Sequence, residues 1–364
     1  MEQSAQRELR EVNPEWTVRE LMARIAKALV SDGPALAFSS ATVSHVNPRI
    51  SIVVKTTGSS GVAKEVGLSS AALLASARAS HKFLGAEFGN TWSLLLPLTH
   101  IAGINVLIRS LELGTEPIDL REHEGEYPHV DFTAIVPTQL FRALHSDDRL
   151  LRHLQHANAV LVGGAALSPE LRIQAEGAQI NVVTSYGSSE TSGGCVYNGV
   201  PLEGVQLRIT PEEKIAISGP VLASTYLGAQ TLWETHFNDG WFVTSDTGRI
   251  ENDKLIVEGR MDDVIISGGE NISLNAIEGS LHAHFPHKSF AAFSINDSQW
   301  GDALHVAVAG AGFPSEIEMN EYLVHQFGAA GKPKGYLYLP ELPLIGIGKV
   351  DRKKLQELFM EAPN

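Results

Sequence analysis

Cysteine is almost absent from this chain of 364 residues: Cys195 stands alone, so no internal disulfide can form and no zinc site built on paired cysteines is available. Long apolar runs are missing too. No uninterrupted stretch approaches the ~20 residues of a membrane-spanning helix, and the N-terminus "MEQSAQRELREVNPEW" is charged and has no apolar signal core. Basic residues are outnumbered, 28 against 42 acidic ones for a net charge of -14, and they gather into no stripe that would suit nucleic acid. A cytoplasmic protein with no nucleic-acid partner and no membrane span is expected. There is no internal repeat or low-complexity linker, and the length suits two domains.

What is present is a change of texture along the chain. From Ile50 to about Gly187, the β-rich runs "SIVVK", "TWSLLLPL", "FTAIVPT", "AVLVGG" and "INVVTSYG" are separated by segments of helical length. Such alternation predicts βαβ units and a sheet with substantial parallel pairing. After Glu190, "KIAISG" and "WFVTSDTGRIENDKLIVEGR" read as short antiparallel strands with "END" as a hairpin turn, a β subdomain. Beyond Arg260 follow a helix from about Leu274, a hairpin around "SFAAFSINDSQWGDALHVAVAG", a helix near "IEMNEYLVHQF", the run "KGYLYLP" and a C-terminal helix. The expected fold is α/β: a large N-terminal domain over 1–261 with its β subdomain, and a small α+β domain over 262–364.

Between the strand-like "ISIVV" and the helix-like "LSSAALLASARASHKFL" lies "KTTGSSGVAKEV", Lys55 to Val66. Glycines and hydroxyl residues in such a loop aim backbone N–H groups at an anion, most often phosphate. The nucleoside-triphosphatase loop requires a second glycine before the lysine and Ser or Thr after it. Here Ala63 and Glu65 occupy those positions, so a phosphate loop at this site belongs to another chemistry.

Further stretches follow in order: "VGGAALSPEL", "SYGSSET", "GWFVTSDTG" with "GRMDDVIISGGENI", and "PLIGIGKVDRKKL". Each has an ordinary reading. The first is a βα turn, and Lys349 could be an exposed lysine of a basic C-terminal helix. His100 is either structural or part of a pocket. Arg109, in the apolar pattern "INVLIRSLEL", is either at a helix surface or facing a ligand carboxylate, since a buried charge needs a partner. Cys195 reads as a packed small residue. His282, His284 and His287 read as solvated surface, because positions i and i+2 do not share a helix face.

Taken together, these stretches resemble the core motifs of the adenylate-forming acyl-CoA synthetase and ligase superfamily, in that order, from Thr56 to Leu355. "YGSSETSGGCVYNGVPLEGV", with the histidine and arginine of "PLTHIAGINVLIRSLELG", looks most like the short actinobacterial o-succinylbenzoate–CoA ligases of menaquinone biosynthesis. The resemblance implies activation of a carboxylic acid by ATP to acyl-AMP and transfer to CoA, with Mg²⁺. Another aryl- or acyl-CoA ligase, or a relative that binds without turnover, stays open.

The same resemblance implies roles residue by residue. Thr56, Thr57, Gly58, Ser59, Ser60, Gly61 and Lys64 would hold the β- and γ-phosphates, with Thr57 and Glu190 at the Mg²⁺ ion. Gly163, Gly164 and Ala165 would lie along the adenine under Tyr186, in the Ser185, Tyr186, Gly187, Ser189 stretch. Asp246 would take the ribose hydroxyls and Arg260 the ribose and phosphate side. His100 and Arg109 would face the acid, Asp262 would be the hinge of a mobile C-terminal domain, Ser267, Gly268 and Gly269 would lie toward CoA, and Lys349 would serve adenylation with Glu190. Departures are Glu65 for a glycine, Ser60 and Ser189 for threonines, and Ser245 for a glycine. The segment ahead of the loop is short for the superfamily, a gap that a homodimer could fill. Glu65 would weaken triphosphate binding unless it points to solvent.

Overall fold

The computed structural model describes residues 6–57, 63–267, 270–285, 288–297, 301–310, 312–345 and 349–361. The expected sites Gly58, Ser59, Ser60, Gly61, Gly268 and Gly269 lie outside these residues, as do His287 and the side chains of Thr57, Asp262, Ser267 and Lys349. The chain forms two compact units, one of Met1–Leu167, Leu171–Thr244 and Ile250–Ile256, the other of Ser168–Glu170, Ser245–Arg249 and Val257–Asn364. The boundary read from sequence lies at 261/262, whereas 245–249 and 257–261 cluster with the second unit.

The first unit contains two large sheets besides the antiparallel strands Gln206–Ile209 and Lys214–Ser218. A seven-stranded sheet runs in the order Val200–Pro201, Gly193–Tyr197, Val182–Ser188, Ala159–Gly163, Phe132–Ile135, Trp92–Leu94, Ile118–Asp119. From Val182–Ser188 onward its pairs are parallel, and the first two strands add antiparallel pairing at one edge. The expected alternation of strands and helices is thus present. Strands 132–135 and 159–163 carry near-continuous apolar residues because helices cover both faces of a parallel sheet.

The second sheet holds the glycine-rich loop. Ile50–Thr57 pairs antiparallel with Ala63–Ser69, and Thr225–Leu227 pairs antiparallel with the far side of Ala63–Ser69. The loop therefore joins two strands of a hairpin, not a strand and a helix, and Lys64 stands on a strand. The helix expected after the loop starts only at Ser70, capped by Ser69, whose hydroxyl accepts from Ala72 N. It ends at Gly85, in the left-handed conformation at φ 66°. This Ser70–Leu84 helix touches both sheets and packs on Ile101–Glu112. The latter is buried nearly all round, including Asn105, Arg109 and Ser110, which interrupt its mostly apolar sequence.

Trp241–Glu251 and Lys254–Arg260 form the expected hairpin. Asn252 and Asp253, at φ 50° and 60°, supply the two left-handed residues of its tight turn. In the second unit, Ser289–Asp297 pairs antiparallel with Gly301–Ala309, which pairs parallel with Gly335–Leu339. Leu274–His284 and Glu316–Phe327 contribute Ile277, Leu281, Met319 and Leu323 to a core with Phe290, Leu304 and Val306. The C-terminal helix Arg352–Glu361 covers the other face, with Leu355 against Phe293 and Ala307.

Candidate active site

In an open parallel sheet, ligands gather outside the carboxyl ends of the strands. Strand 159–163 ends at Gly163, and its register with the next strand pairs Gly163 with Ser185, so Tyr186 and Gly187 continue past that end. The expected adenine residues Gly163, Gly164 and Ala165 and the start of the "SYGSSET" stretch therefore lie side by side at the carboxyl ends of neighbouring strands of the first unit. The glycines are required by close approach. A Cβ at Gly163 would lie 2.9 Å from the Ser185 carbonyl oxygen, one at Gly187 would collide with the Gly193 carbonyl, and Gly164 sits at φ 83°.

Glu190 lies in the short 3-10 turn Ser189–Thr191 that follows the strand. The turn is anchored from several sides. Ala223 N donates to the Glu190 carbonyl at 2.7 Å, and Asn105 Nδ2 and Ser76 Oγ donate to the Ser192 carbonyl at 2.8 and 3.1 Å. Ser192 Oγ donates in turn to Val221 O. The Glu190 carboxylate receives the Tyr226 hydroxyl on Oε1 at 2.8 Å, and burial, with Glu190 beside it, pushes the phenol well above its ordinary pKa.

Alternation along the hairpin separates the two charges that follow the loop. Thr56 pairs with Lys64 and Lys55 with Glu65, so Lys64 and Glu65 point to opposite faces. Lys64 Nζ lies 5.0 Å from the centroid of the Tyr226 ring. Glu65 is buried on the other face, where it accepts from Thr42 N at 2.9 Å and Thr42 Oγ1 at 2.7 Å. It points neither to the face of Lys64 nor to solvent, and the hydrogen bonds of Thr42 explain how an acid fits there.

Helix Ile101–Glu112 brings in the residues expected at the acid. His100 is half-buried at its N-cap, and Gly103 allows the preceding turn to lie on the first helical turn, since a Cβ there would collide with the Pro97 carbonyl. Arg109 is 4% exposed, which excludes the surface reading. Its Nη2 donates to the Tyr197 hydroxyl at 3.0 Å, and its guanidinium lies 5.0 Å from the centroid of the Trp92 ring. Its Nε is buried without a hydrogen-bond partner, and no carboxylate pairs with it among the described residues. Ser80 Oγ completes the cluster, 2.9 Å from the Tyr197 hydroxyl. Next to it, burial and the Arg109 charge push His81 down to about 4.

The second unit holds Asp246 and Arg260, whose Oδ1 and Nη1 are 3.6 Å apart. The backbone of Lys349 pairs with Ile345 in a two-stranded ribbon. Three residues on, Arg352 donates from Nε to Ala292 O at 2.9 Å and from Nη2 to Asn275 Oδ1 and Glu278 Oε1 at 3.0 and 2.9 Å, while Nη1 lies 3.1 Å from Asp263 Oδ1. Burial pushes Glu278 up to about 7 against the pull of Arg352. Cys195 is fully buried, its thiol pushed up to about 12, as a packed residue should be. His282 is not simply solvated: it is half-buried, its Nδ1 donates to Glu278 O at 2.8 Å, and Nε2 accepts from Phe290 N. Among the described residues no cluster of His, Cys, Asp or Glu is arranged to hold a metal by itself.

Sequence reasoning missed Tyr226 and Tyr197. Tyr197, at the end of strand Gly193–Tyr197, lies within a quoted motif but has no local mark of its partner Arg109, distant in sequence on a helix. Tyr226 is recognisable only once Thr225–Leu227 is known to pair beside Lys64.

The family described as AMP-binding enzyme matches residues 10–227. A probable 2-succinylbenzoate–CoA ligase of Mycobacterium tuberculosis is 35% identical over 333 residues, 86% of this chain and 86% of that protein. The 2-succinylbenzoate–CoA ligase of Bacillus licheniformis is 28% identical over 332 residues, 83% of this chain and 69% of its own. Among solved structures, the Bacillus subtilis o-succinylbenzoate CoA synthetase in complex with its acyl-adenylate intermediate matches with a TM-score of 0.75 at 21% identity, covering 96% of this chain and 83% of that one. The same synthetase in complex with ATP and magnesium ion matches with a TM-score of 0.75 at 21% identity, over 95% and 83%. The α/β fold expected from the sequence is the fold these structures share.

Proposed function

This chain belongs to the AMP-binding enzyme family, and on that premise we propose that it joins 2-succinylbenzoate to CoA at the expense of ATP, a step of menaquinone biosynthesis carried out in the cytoplasm. No described helix is long and apolar enough to cross a membrane. The observation that carries the choice of acid is the buried guanidinium of Arg109, which has no carboxylate among the described residues. A substrate with two carboxylates supplies one to be activated and one for this charge. Arg suits that task because its planar fork donates two parallel hydrogen bonds.

In the first half-reaction a carboxylate oxygen of the acid attacks the α-phosphorus of ATP. The bond from that phosphorus to the bridging oxygen breaks, and its electron pair leaves with pyrophosphate. Both partners are anions, so the residues' work is to hold them in line and to offset charge. Thr56, Thr57, residues 58–61 and Lys64 hold the outer phosphates, Gly163, Gly164, Ala165 and Tyr186 hold the adenine, and Asp246 and Arg260 hold the ribose side. Lys349 brings an ammonium to the attacking oxygen and α-phosphate. In the second, the CoA thiol gives up its proton to solvent, its sulfur attacks the acyl carbon, and the bond from that carbon to the phosphate oxygen breaks, so that AMP leaves with the electron pair. A turn at Asp262 separates the two steps, with Ser267, Gly268 and Gly269 toward CoA and His100 closing the acyl pocket.

Magnesium fits this set: Glu190 is a carboxylate with one oxygen held by Tyr226, and carboxylate and hydroxyl oxygens are the donors a hard cation takes. Bound there with Thr57, it would offset triphosphate charge. The test is ATP-dependent AMP release across aromatic and aliphatic acids with CoA present. We expect 2-succinylbenzoate to give the highest kcat/KM. A higher value for a monocarboxylate, or no AMP from any acid, overturns the proposal.

A further inference from the structure

We infer that Tyr226 is the positioning residue that sets the Glu190 carboxylate and the Lys64 ammonium at a fixed separation on the phosphate side of the site. The inference rests on the assignment of both charges to ATP and Mg²⁺ made above.

The strand register supplies the geometry. Tyr226 stands opposite Val66, and Leu227 opposite Glu65. Since side chains alternate, Tyr226, Val66 and Lys64 share one face, and Lys64 is the diagonal neighbour that an aromatic ring can reach. Its Nζ lies 5.0 Å from the ring centroid, close enough for the negative face of the ring to attract it. The phenol at the other end of the same rigid side chain donates to Glu190 Oε1 at 2.8 Å. Ring and hydroxyl thus serve two opposite charges.

Tyr226 cannot drift. It is 2% exposed, with Trp233 edge-on at 5.2 Å and His236 at 6.5 Å between ring centroids. The hydroxyl has a consequence for the carboxylate: Oε1 is committed to the phenol, and Oε2 has no other side-chain donor among the described residues, so it is the oxygen offered to a cation. A residue that only filled the core here would need neither the hydroxyl nor the ring's register with Lys64.

Two variants separate the two ends. Tyr226→Phe keeps the ring and removes the hydroxyl, and Tyr226→Leu removes both. ATP binding is measured by titration calorimetry at increasing Mg²⁺ and without it, alongside melting temperature. For Tyr226→Phe we expect Mg²⁺-free ATP binding to be unchanged and the Mg²⁺ concentration that half-saturates ATP binding to rise roughly tenfold, the scale of a lost hydrogen bond to a charged group. Tyr226→Leu should weaken Mg²⁺-free binding as well. A Tyr226→Phe protein with the parent's Mg²⁺ dependence overturns the inference. So does equal weakening with and without Mg²⁺ in that variant. If 2-succinylbenzoate is not a substrate while the Mg²⁺ dependence shifts as expected, the choice of acid fails and the role of Tyr226 stands.

Discussion

Arg109 and Tyr197 meet inside the first unit, guanidinium Nη2 to phenol oxygen at 3.0 Å, with both side chains almost wholly buried. A guanidinium removed from water costs free energy unless it is paired. Here one hydroxyl and the face of Trp92 are its described partners, which leaves a positive charge in want of an anion.

Replacing Arg109 by Leu should therefore separate stability from function. Removing an unpaired buried charge should leave the melting temperature unchanged or higher, while the KM for 2-succinylbenzoate rises roughly 10- to 100-fold, the range for a lost charge-assisted hydrogen bond. The KM for ATP should stay where it was. Steady-state kinetics with each substrate varied in turn check this, and an unchanged acid KM removes Arg109 from the acid site.

Glu65 is expected to matter to the fold and not to ATP. Its two hydrogen bonds from Thr42 lie on the hairpin face opposite Lys64. Glu65→Ala should cost about 1–3 kcal/mol of stability in chemical denaturation and leave the KM for ATP unaltered. A large gain in ATP affinity would mean that the acid does reach the triphosphate.

Lys349→Ala should slow acyl-AMP formation by about 10²–10³, the usual loss for one stabiliser of transition-state charge. Transfer to CoA from supplied acyl-AMP should be nearly intact, because the proposed turn at Asp262 would give Lys349 no part in that step. Single-turnover measurement of each half-reaction decides the matter, and a parallel fall in both would strip Lys349 of its adenylation role.

Acid should destabilise the first unit through its buried histidines. His153 and His81 are both pushed down to about 4, chiefly by burial. Nδ1 of His153 donates to Pro128 O at 3.1 Å and Nε2 faces Ser93 Oγ at 2.9 Å. The unfolded chain takes up protons near 6.5 while the folded chain does not, so stability present above pH 6.5 is lost as pH falls toward about 4. Glu278 acts with the opposite sign, since its raised value makes stability fall as pH rises from 4.5 to about 7. Comparing His153→Gln with the parent cancels that contribution. Between pH 6.5 and 4 the variant's melting temperature should decline less steeply, and equal slopes would contradict a neutral buried His153.

Much of this was legible because period and motif agree. The runs around Ile52, Leu94, Ala134, Leu161 and Val183 all became strands, and the positive φ of Asn252 and Asp253 was implied by "END". Strand Ala63–Ser69 was not legible: Gly67 and two charges interrupt its apolar residues, and its pairing with Thr225–Leu227, distant in sequence, is what makes it a strand. Glu65 was misread for the same reason, since its face depends on that register. The reading of Arg109 stayed divided until burial decided between surface and interior.

The four-way hold of Arg352 on Ala292, Asn275, Glu278 and Asp263 has a mechanical meaning. Asp263 directly follows the proposed turning point, and Arg352 begins the last helix three residues after Lys349. Fastened in this way, Asp263 and the first turn of the last helix would move as one piece. A change in backbone torsion at Asp262 would reach the stretch around Lys349 without being absorbed by slack between them, so the fulcrum would need to turn only its own few bonds.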